Sequence, residues 1–571
     1  MGRRIITMKG RGPAALPRAP RRPRSYALAG LLLHLLSNAW AGDHGVALAY
    51  PIDGTRIEID GDLSDWPAHL PRHALTVPVF GSRPTDDEDC SASFRVAYSQ
   101  SSNLLYTAIE VQDAEREEPP ENPISLYSAE PVYSADLAVV FLRSPAGPGD
   151  HTPLGFLCSK AGESTLTAWG GGNVIYAAPK HFRSATRQAG SRRWFEFRVD
   201  VGRMAEGKQR LEPDRVVEFS PWVVDADRLV GTPTAWQSGV LGWVNGNSMN
   251  PRDSRGEVWL VRSNVVRGWL AGQVKLEDNL PPGTMKRVRI QSVTAPTAVV
   301  HALTDRSGRF TVELPVGRYQ VLADQRGVDT NAAVAVEVRA GERAPVELTA
   351  PPMTGRVVAA GPGRVIPVGR GVRHGAWQTY GVGEGLPVAT VRGILEGRQG
   401  ELWLATEGGG LVQFDGARFT VFTKADGLPS DDIGGLVEDG RGNLWLTMDS
   451  DAGERGLSCL DRAKGLFINY DTEDGPGLDN ASYPAVDAAG TLWFSGTGDV
   501  NRWDAGRRQF VRYTRQDGGC GPLVAPIHRG QSGRLWVGMS FSNELCEWRG
   551  DRFEVHRTPF PLYYTTALLE D

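Results

Sequence analysis

Two tryptophans in the N-terminal half of the chain lie where an aromatic ring could contact a ligand. Trp169 is part of the glycine-rich stretch TAWGGGN, and Trp236 is part of TPTAWQSG. A glycine-rich loop can present a ring to solvent, and an exposed ring can stack on an apolar ligand face while neighbouring polar groups fix its orientation. We therefore predict that Trp169 and, as the second candidate, Trp236 contact a ligand.

The residue arrangements that carry catalysis are missing from the sequence. It contains no H-E-x-x-H metal helix, no G-x-S-x-G nucleophile turn and no G-x-x-x-x-G-K-[ST] phosphate loop. The ten histidines are scattered, and the five cysteines show no C-x-x-C spacing. We therefore predict no catalytic residue and no enzyme activity for the residues present.

The composition predicts an all-β protein with several domains. A chain of 571 residues is too long for one ordinary domain. Its 68 glycines and 16 tryptophans suit many short strands joined by tight turns better than long helices. Strands are therefore the elements that we expect to position the candidate tryptophans.

The first 41 residues predict a secretory signal peptide. Residues 1–24 contain eight lysines or arginines and no acid, the apolar run ALAGLLLHLL follows, and Ala39-Trp40-Ala41 is a cleavage signal. A retained signal anchor is the alternative, although ten apolar residues are too few to span a bilayer. Removing the eight positive charges changes the formal net charge from −5 to −13. Such an acidic surface disfavours nucleic acid and anionic lipid as partners and leaves neutral ligands such as sugars open.

The C-terminal third of the chain is repetitive. The pattern Gly-x-Leu-Trp occurs four times, with its tryptophans 42, 48 and 43 residues apart, at Trp403, Trp445, Trp493 and Trp536. A period in the low forties with glycine turns and short apolar runs is typical of a four-stranded propeller blade. Because the tryptophan recurs once per repeat, we predict that these four residues are structural and pack between strands.

These repeats resemble a known family. GLPVATVRGILEGRQGELWLATEGGGLVQFDGARFTVFTKADGLP and the segment after it are similar to the two-component regulator propeller repeat, over residues 377–571. The resemblance implies an extracytoplasmic propeller that commonly precedes a transmembrane helix and a histidine kinase or another output domain. For a sensor kinase, it also implies a homodimer formed through the propeller. TTALLED at the end of the sequence aligns with Ile433–Asp439 of the second repeat, so we expect the chain to be interrupted within a fifth repeat.

A smaller unit precedes the propeller. In residues 266–350, alternating apolar and polar positions flank tight turns in TDRSGRFTVELPVGRYQVLA. This pattern resembles a carboxypeptidase regulatory-like β-sandwich, a module without peptidase activity of its own. The Pro/Gly-rich residues 351–376 predict a linker.

Residues 47–263 predict a larger β-sandwich. Segments such as RWFEFRVD alternate apolar and polar residues, as strands with one buried face do. Together with the opening motif IDGDLSDW, their order resembles the carbohydrate-binding module family 9-like domain. The resemblance implies a carbohydrate or a similar small polar ligand, with Trp169 and Trp236 as the candidate stacking rings. We predict that Trp66 of the opening motif is a packing residue.

The same resemblance implies a cation site. Asp60, Asp62 and Asp65 could help to hold a structural calcium ion, and no other cofactor is expected. The interpretation that we favour is that they are turn residues, because Asp-rich turns are common and EF-hand spacing is absent.

Three functions follow from these resemblances. The favoured one is the extracytoplasmic, ligand-sensing part of a membrane-bound signalling protein, tethered through a segment downstream of these residues. The alternatives are a secreted, non-catalytic carbohydrate-binding protein and the accessory region of a hydrolase. All three place the chain in the periplasm or outside the cell.

Overall fold

The computed structural model describes most of the chain after the predicted signal peptide. The described residues are 45–81, 90–113, 137–143, 153–158, 166–168, 175–177, 182–204, 210–228, 236–243, 256–263, 265–277, 282, 285–374, 377–449, 455–471, 473–475, 478, 481–496, 499–514, 524–539, 542–562 and 568. Residues 1–41, Trp169 and the predicted start of a fifth repeat, apart from Leu568, lie outside them.

The all-β fold class predicted from the sequence is confirmed. The described residues form 41 strands and one short helix, α1 (Val201–Met204). Four 3₁₀ turns cover Leu63–Asp65, Thr330–Ala332, Val382–Glu384 and Lys424–Asp426. Within the described ranges, no helix has the length and hydropathy needed to cross a bilayer.

The first region is a folded-over sheet of 14 strands, which we call the first sandwich. Its strands are β1 (Val46–Pro51), β2 (His73–Leu75), β3 (Val77–Gly81), β4 (Cys90–Ser99), β5 (Leu104–Asp113), β6 (Leu137–Arg143), β7 (Pro153–Cys158), β8 (Leu166–Ala168), β9 (Ile175–Ala177), β10 (Phe182–Ala189), β11 (Arg192–Asp200), β12 (Val216–Arg228), β13 (Trp236–Gly242) and β14 (Gly256–Leu260). Its main path runs β10-β11-β5-β4-β1-β14-β12-β6-β7-β8-β9.

Strand β1 joins the two halves of this sheet. Its first part, Val46–Ala49, pairs in parallel with β14, and Tyr50 and Pro51 pair in parallel with β4. The halves therefore face each other across one core, to which β11 contributes Phe195 and β12 contributes Phe219. In β11 every second residue is apolar, and because side chains alternate between the two faces of a strand, these apolar side chains point into that core.

The next region, the second sandwich, consists of two packed sheets. Its strands are β15 (Arg267–Leu276), β16 (Arg287–Ser292), β17 (Val299–Leu303), β18 (Arg309–Pro315), β19 (Gly317–Ala323), β20 (Val334–Val338) and β21 (Arg343–Ala350). One sheet has the order β18-β15-β21 and the other β17-β16-β19-β20. Gly308, at φ +82°, closes the turn before β18, where an added Cβ would lie 2.0 Å from the Val274 carbonyl oxygen. Only glycine fits this turn.

The two sandwiches share a hydrophobic core. Val46 and Leu48 of β1 and Trp259 of β14 belong to one buried cluster with Leu270 of β15 and Tyr319 of β19. The rings of Trp259 and Tyr319 meet edge to face, with centroids 6.3 Å apart. Because the apolar cluster is continuous, separating the two sandwiches would expose core residues of both.

The residues predicted as a linker contribute strands. They contain β22 (Arg356–Ala359), β23 (Arg364–Pro367) and β24 (Val372–His374), and β24 pairs with β25 (Trp377–Thr379). Strand β22 adds to the outer edge of the second repeat and β23 to that of the first. The segment is thus held along the repeats by backbone hydrogen bonds.

The four repeats form four antiparallel sheets, which we call blades 1 to 4. Blade 1 has β26 (Val391–Glu396), β27 (Leu402–Thr406), β28 (Leu411–Phe414) and β29 (Arg418–Phe422); blade 2 has β30 (Ile433–Glu438), β31 (Leu444–Met448), β32 (Gly456–Asp461) and β33 (Leu466–Tyr470); blade 3 has β34 (Ser482–Val486), β35 (Leu492–Gly496), β36 (Asp499–Asp504) and β37 (Gln509–Thr514); blade 4 has β38 (Val524–Arg529), β39 (Leu535–Met539), β40 (Ser542–Trp548) and β41 (Phe553–Leu562). The first strands of successive blades are neighbours, as in a propeller.

The repeated tryptophans occupy equivalent positions in the blades. Trp403, Trp445 and Trp493 are buried, and Trp536 is half-buried. Each ring lies against an aromatic or histidine ring of the last strand of its own blade, in the pairs Trp403–Phe422, Trp445–Tyr470, Trp493–Tyr513 and Trp536–His556. The repeat in the sequence is therefore a repeat of ring packing.

Candidate functional site

Trp236 and the strand that precedes Trp169 belong to the same half of the first sandwich. Trp236 begins β13 and pairs with Arg228 at the end of β12. Ala168, the residue before Trp169, is linked by the strand register through β7 and β6 to Phe219. Phe219 and Arg228 are nine residues apart on β12, or about 30 Å along the strand. Ala168 and Trp236 therefore lie at opposite ends of this sheet half.

Trp169 itself lies outside the described residues, and only the backbone of Trp236 is described. Their contact with a ligand stays a prediction.

The aspartates of the opening motif form hydrogen bonds within their own turn. The Asp60 carboxylate accepts from the backbone N–H of Asp62, at 2.8 Å, and the Asp62 carboxylate accepts from that of Ser64, at 3.0 Å. Asp65 accepts from the backbone N–H of Glu58 at 2.7 Å, and Asp62 also pairs with Arg187. These are the contacts of turn residues. The structure does not gather the three carboxylates into one ligand set, and calcium binding stays a prediction.

A buried carboxylate holds this turn against the sheet. Glu196, 0% exposed on β11, accepts hydrogen bonds from the backbone N–H of Asp60 at 3.0 Å, from that of Gly61 at 2.6 Å and from the Trp66 indole N–H at 2.6 Å. Burial raises the pKa of Glu196, and the three donated bonds oppose that rise. Trp66 is buried and packs in the core that the two sandwiches share.

One group in blade 4 has the composition of a metal site. Glu547, Glu554 and His556 each have one potential ligand atom within 4.8 Å of those of the other two. Among the described residues, this is the group of three such side chains that meets this distance. Arg549 occupies the same place, with its guanidinium 2.9 Å from Glu547 and 2.6 Å from Glu554. The positive charge that these carboxylates need is thus supplied by the protein.

A polar cleft lies on the outer face of the second sandwich. It has a volume of about 460 Å³ and is lined by Arg289 and Gln291 of β16, Gln320 and Leu322 of β19, and Thr330, Asn331 and Ala333 before β20. The cleft offers guanidinium, amide and hydroxyl groups around an apolar floor at Leu322. Sequence reasoning missed it because its residues come from three separate segments.

The second sandwich meets the propeller through a buried polar network, which we call the joint. Lys286, directly before β16, is 2% exposed, and its ammonium group lies 2.6 Å from the side-chain oxygens of both Gln325 and Gln509. The amide groups of Gln325 and Gln509 in turn donate to the Pro351 carbonyl, at 2.9 and 3.1 Å. Burial lowers the pKa of Lys286 from 10.5 to about 7, while Asp474 opposes that shift.

Charged residues surround this network. Arg326 pairs with Asp471 at 2.8 Å, with Glu473 at 3.0 Å and with the fully buried Asp474 at 3.3 Å. Two backbone hydrogen bonds also cross the joint, from Arg326 N–H to the Glu473 carbonyl at 2.6 Å and from Met353 N–H to the Arg508 carbonyl at 2.9 Å.

Comparisons with known proteins give low similarity. No protein-family profile and no curated protein matches the sequence. Among solved structures, a carbohydrate-binding module family 9 from Caldicellulosiruptor kristjanssonii in complex with cellotriose is similar over 38% of this chain and 95% of its own, at 16% identity and a TM-score of 0.27.

Two larger structures from B. thetaiotaomicron are also similar. The extracellular domain of a one-component system matches 86% of this chain and 56% of its own length, at 11% identity and a TM-score of 0.28. The extracellular domain of a hybrid two-component system matches 80% and 45%, at 12% identity and a TM-score of 0.27. This chain thus spans about half the length of these two ectodomains. Virginiamycin B and streptogramin B lyases match over 30% and 31% of this chain.

Proposed function

We propose that this chain is the extracytoplasmic ligand-sensing part of a membrane-bound signalling protein of the two-component type. The first sandwich binds a carbohydrate or a similar small polar ligand, and the propeller passes the signal towards an output domain. The predicted signal peptide, the candidate stacking tryptophans and the resemblances of the three regions support this proposal. No catalytic residue is assigned, and the membrane tether lies in a downstream segment.

One structural observation carries the proposal: the two interfaces of the second sandwich differ in kind. Its interface with the first sandwich is a shared apolar core. Its contact with the propeller is the joint, where Lys286 and Arg326 meet Gln509 and Asp474. Polar interdomain contacts reorganise at lower cost than a shared core. The two sandwiches would therefore move as one body relative to the propeller when a ligand binds.

A ligand-dependent change at the joint tests the proposal. The chain without its first 41 residues is titrated with cellotriose and glucose as first probes, and hydrogen exchange is followed at the amides of Arg326 and Met353. We expect a saturable change in exchange at both amides. Binding without any change in exchange or in solution scattering would contradict the sensing role and leave a carbohydrate-binding protein.

The cellular location of the native protein tests the proposed membrane tether. An antibody raised against residues 47–263 is used on membrane and soluble extracytoplasmic fractions. A membrane-bound band much heavier than 62.0 kDa is expected. A soluble band slightly below that mass would support the secreted, non-catalytic alternative.

A further inference from the structure

The cleft on the second sandwich contains an arginine without a charged partner. Arg289 is half-buried, and its guanidinium donates a hydrogen bond to the neutral Gln291 side-chain oxygen at 3.2 Å. Among the described residues no carboxylate forms an ion pair with it, whereas Arg287 on the same strand pairs with Asp324 at 2.5 Å. The chain has more acidic than basic residues, 67 against 62. A shortage of carboxylates therefore does not explain why the half-buried Arg289 has no ion pair.

The Gln291 side chain that accepts from this guanidinium is itself oriented by a hydrogen bond. The Gln291 amide nitrogen donates to the Pro296 carbonyl at 3.0 Å, which turns the Gln291 oxygen towards Arg289. The residues that line the cleft include no aspartate and no glutamate. A fixed guanidinium with free donors can take a carboxylate in a bidentate arrangement.

The rest of the cleft suits a ligand with hydroxyl groups and one apolar face. Gln320, Thr330 and Asn331 contribute amide and hydroxyl groups to its lining, the Asn331 amide nitrogen donating to Asp329 at 3.0 Å, and Leu322 contributes an apolar side chain. A pyranose ring has this combination of hydroxyl edges and an apolar face. A volume of about 460 Å³ is in the range of small-molecule sites.

We propose that this cleft is a second ligand site, which binds a sugar acid through its carboxylate. Arg289 holds the carboxylate, Leu322 lies under the ring, and Gln320 and Asn331 contact hydroxyl groups. The site is separate from the candidate tryptophans of the first sandwich, and it does not depend on the function proposed above.

The strands that build the cleft lead directly to the joint. Arg289 of β16 lies three residues after Lys286, and Leu322 of β19 lies three residues before Gln325. A sugar acid that orders the Arg289 end of these strands is therefore expected to stabilise the network at their other end.

The test compares a sugar acid with its neutral counterpart. The chain without its first 41 residues is titrated calorimetrically with galacturonate and with galactose. We expect galacturonate to bind at least tenfold more tightly than galactose at low ionic strength, and the difference to shrink with added salt. The amides of Arg326 and Met353 are expected to exchange more slowly in the galacturonate complex.

Matched variants assign the binding to the cleft. Arg289→Gln is expected to lower galacturonate affinity at least tenfold, and Arg289→Lys, which keeps the charge without the bidentate geometry, less than that. Arg343→Gln, at an exposed arginine on the other sheet, is the control and should have no effect. Trp236→Ala should leave galacturonate binding intact, which separates this site from that of the first sandwich.

Three results would overturn the proposal. They are equal affinity for galacturonate and galactose, unchanged galacturonate affinity in a folded Arg289→Gln variant, and no galacturonate binding to the wild type at millimolar concentration.

Discussion

Lys286 of the second sandwich and Gln509 of blade 3 are 223 residues apart in the chain, and their side chains meet at 2.6 Å in a buried network. The partners of this lysine are neutral amides, and the carboxylate that acts on its pKa is Asp474. A buried ammonium group without a direct carboxylate partner is costly, which is why the pKa falls to about 7.

Closure of the joint is expected to depend on pH. In the open state Lys286 has its ordinary pKa of 10.5, and in the closed state the pKa is about 7, so closing releases a proton between these values. The closed state therefore gains stability as pH rises from 7 towards 10.5 and has lost this contribution at and below pH 7. Hydrogen exchange at Arg326 and Met353, corrected for intrinsic rates, should show protection that rises nearly tenfold per pH unit from 7.5 to 9.

Two variants check that Lys286 is the group responsible. Lys286→Met keeps most of the aliphatic length and should remove the pH dependence of protection. Lys275→Met, at a lysine whose ammonium group pairs with Glu347 rather than with a residue of the joint, should retain it. Gln509→Glu supplies a carboxylate and should raise the pKa of Lys286, which moves the rise in protection to higher pH. The same pH slope in the wild type and in Lys286→Met would show that another group titrates. The charged residues around the joint that could then be responsible are Arg326, Asp471, Glu473, Asp474, Asp499 and Arg512.

The sequence predicted the blades well because their packing is local and repeated. Each Gly-x-Leu-Trp tryptophan and its ring partner come from the same repeat, so one pattern specifies both. The joint and the cleft could not be predicted in this way. Lys286 and Gln509, or Arg289 and Asn331, are close only after separate segments have folded, and no spacing in the chain connects them.

A second recurring residue of the blades was missed although the sequence shows it. Asp439 and Asp487 lie six residues before Trp445 and Trp493, and each carboxylate accepts the indole N–H at 2.9 Å. Blade 1 has Gly397 at the equivalent position. There Glu401 accepts the Trp403 indole N–H at 3.1 Å, and a Cβ on Gly397 would lie 2.5 Å from the Glu401 carboxylate. The carboxylate is kept while the residue that carries it changes.

Loss of this carboxylate should destabilise its blade. Asp439 also accepts from the backbone N–H groups of Arg441 and Asn443, at 2.8 and 3.0 Å, so Asp439→Ala leaves several donors unsatisfied, including the buried Trp445 indole. We expect the free energy of opening of blade 2, measured by hydrogen exchange, to fall by about 2–3 kcal/mol.

Asp551→Ala, at an exposed turn of blade 4, is the control for this variant and should change stability by no more than about 0.5 kcal/mol. Equal effects of the two substitutions would mean that the Asp439 contacts contribute nothing specific.

The strand register between Ala168 and Trp236 leads to a prediction about sugar binding. Ala168, the residue before Trp169, and the backbone of Trp236 lie about 30 Å apart along the sheet, so we predict that a monosaccharide contacts one of the two rings and not both. We expect one of Trp169→Ala and Trp236→Ala to lower the affinity for a bound monosaccharide about tenfold, through the lost stacking surface, and the other to leave it unchanged. Trp377→Ala, at a tryptophan that is 79% exposed beside the propeller, is the matched control. Equal losses in both folded variants with a monosaccharide would contradict the separation, whereas equal losses confined to long oligosaccharides would indicate a ligand that spans the sheet from one end to the other.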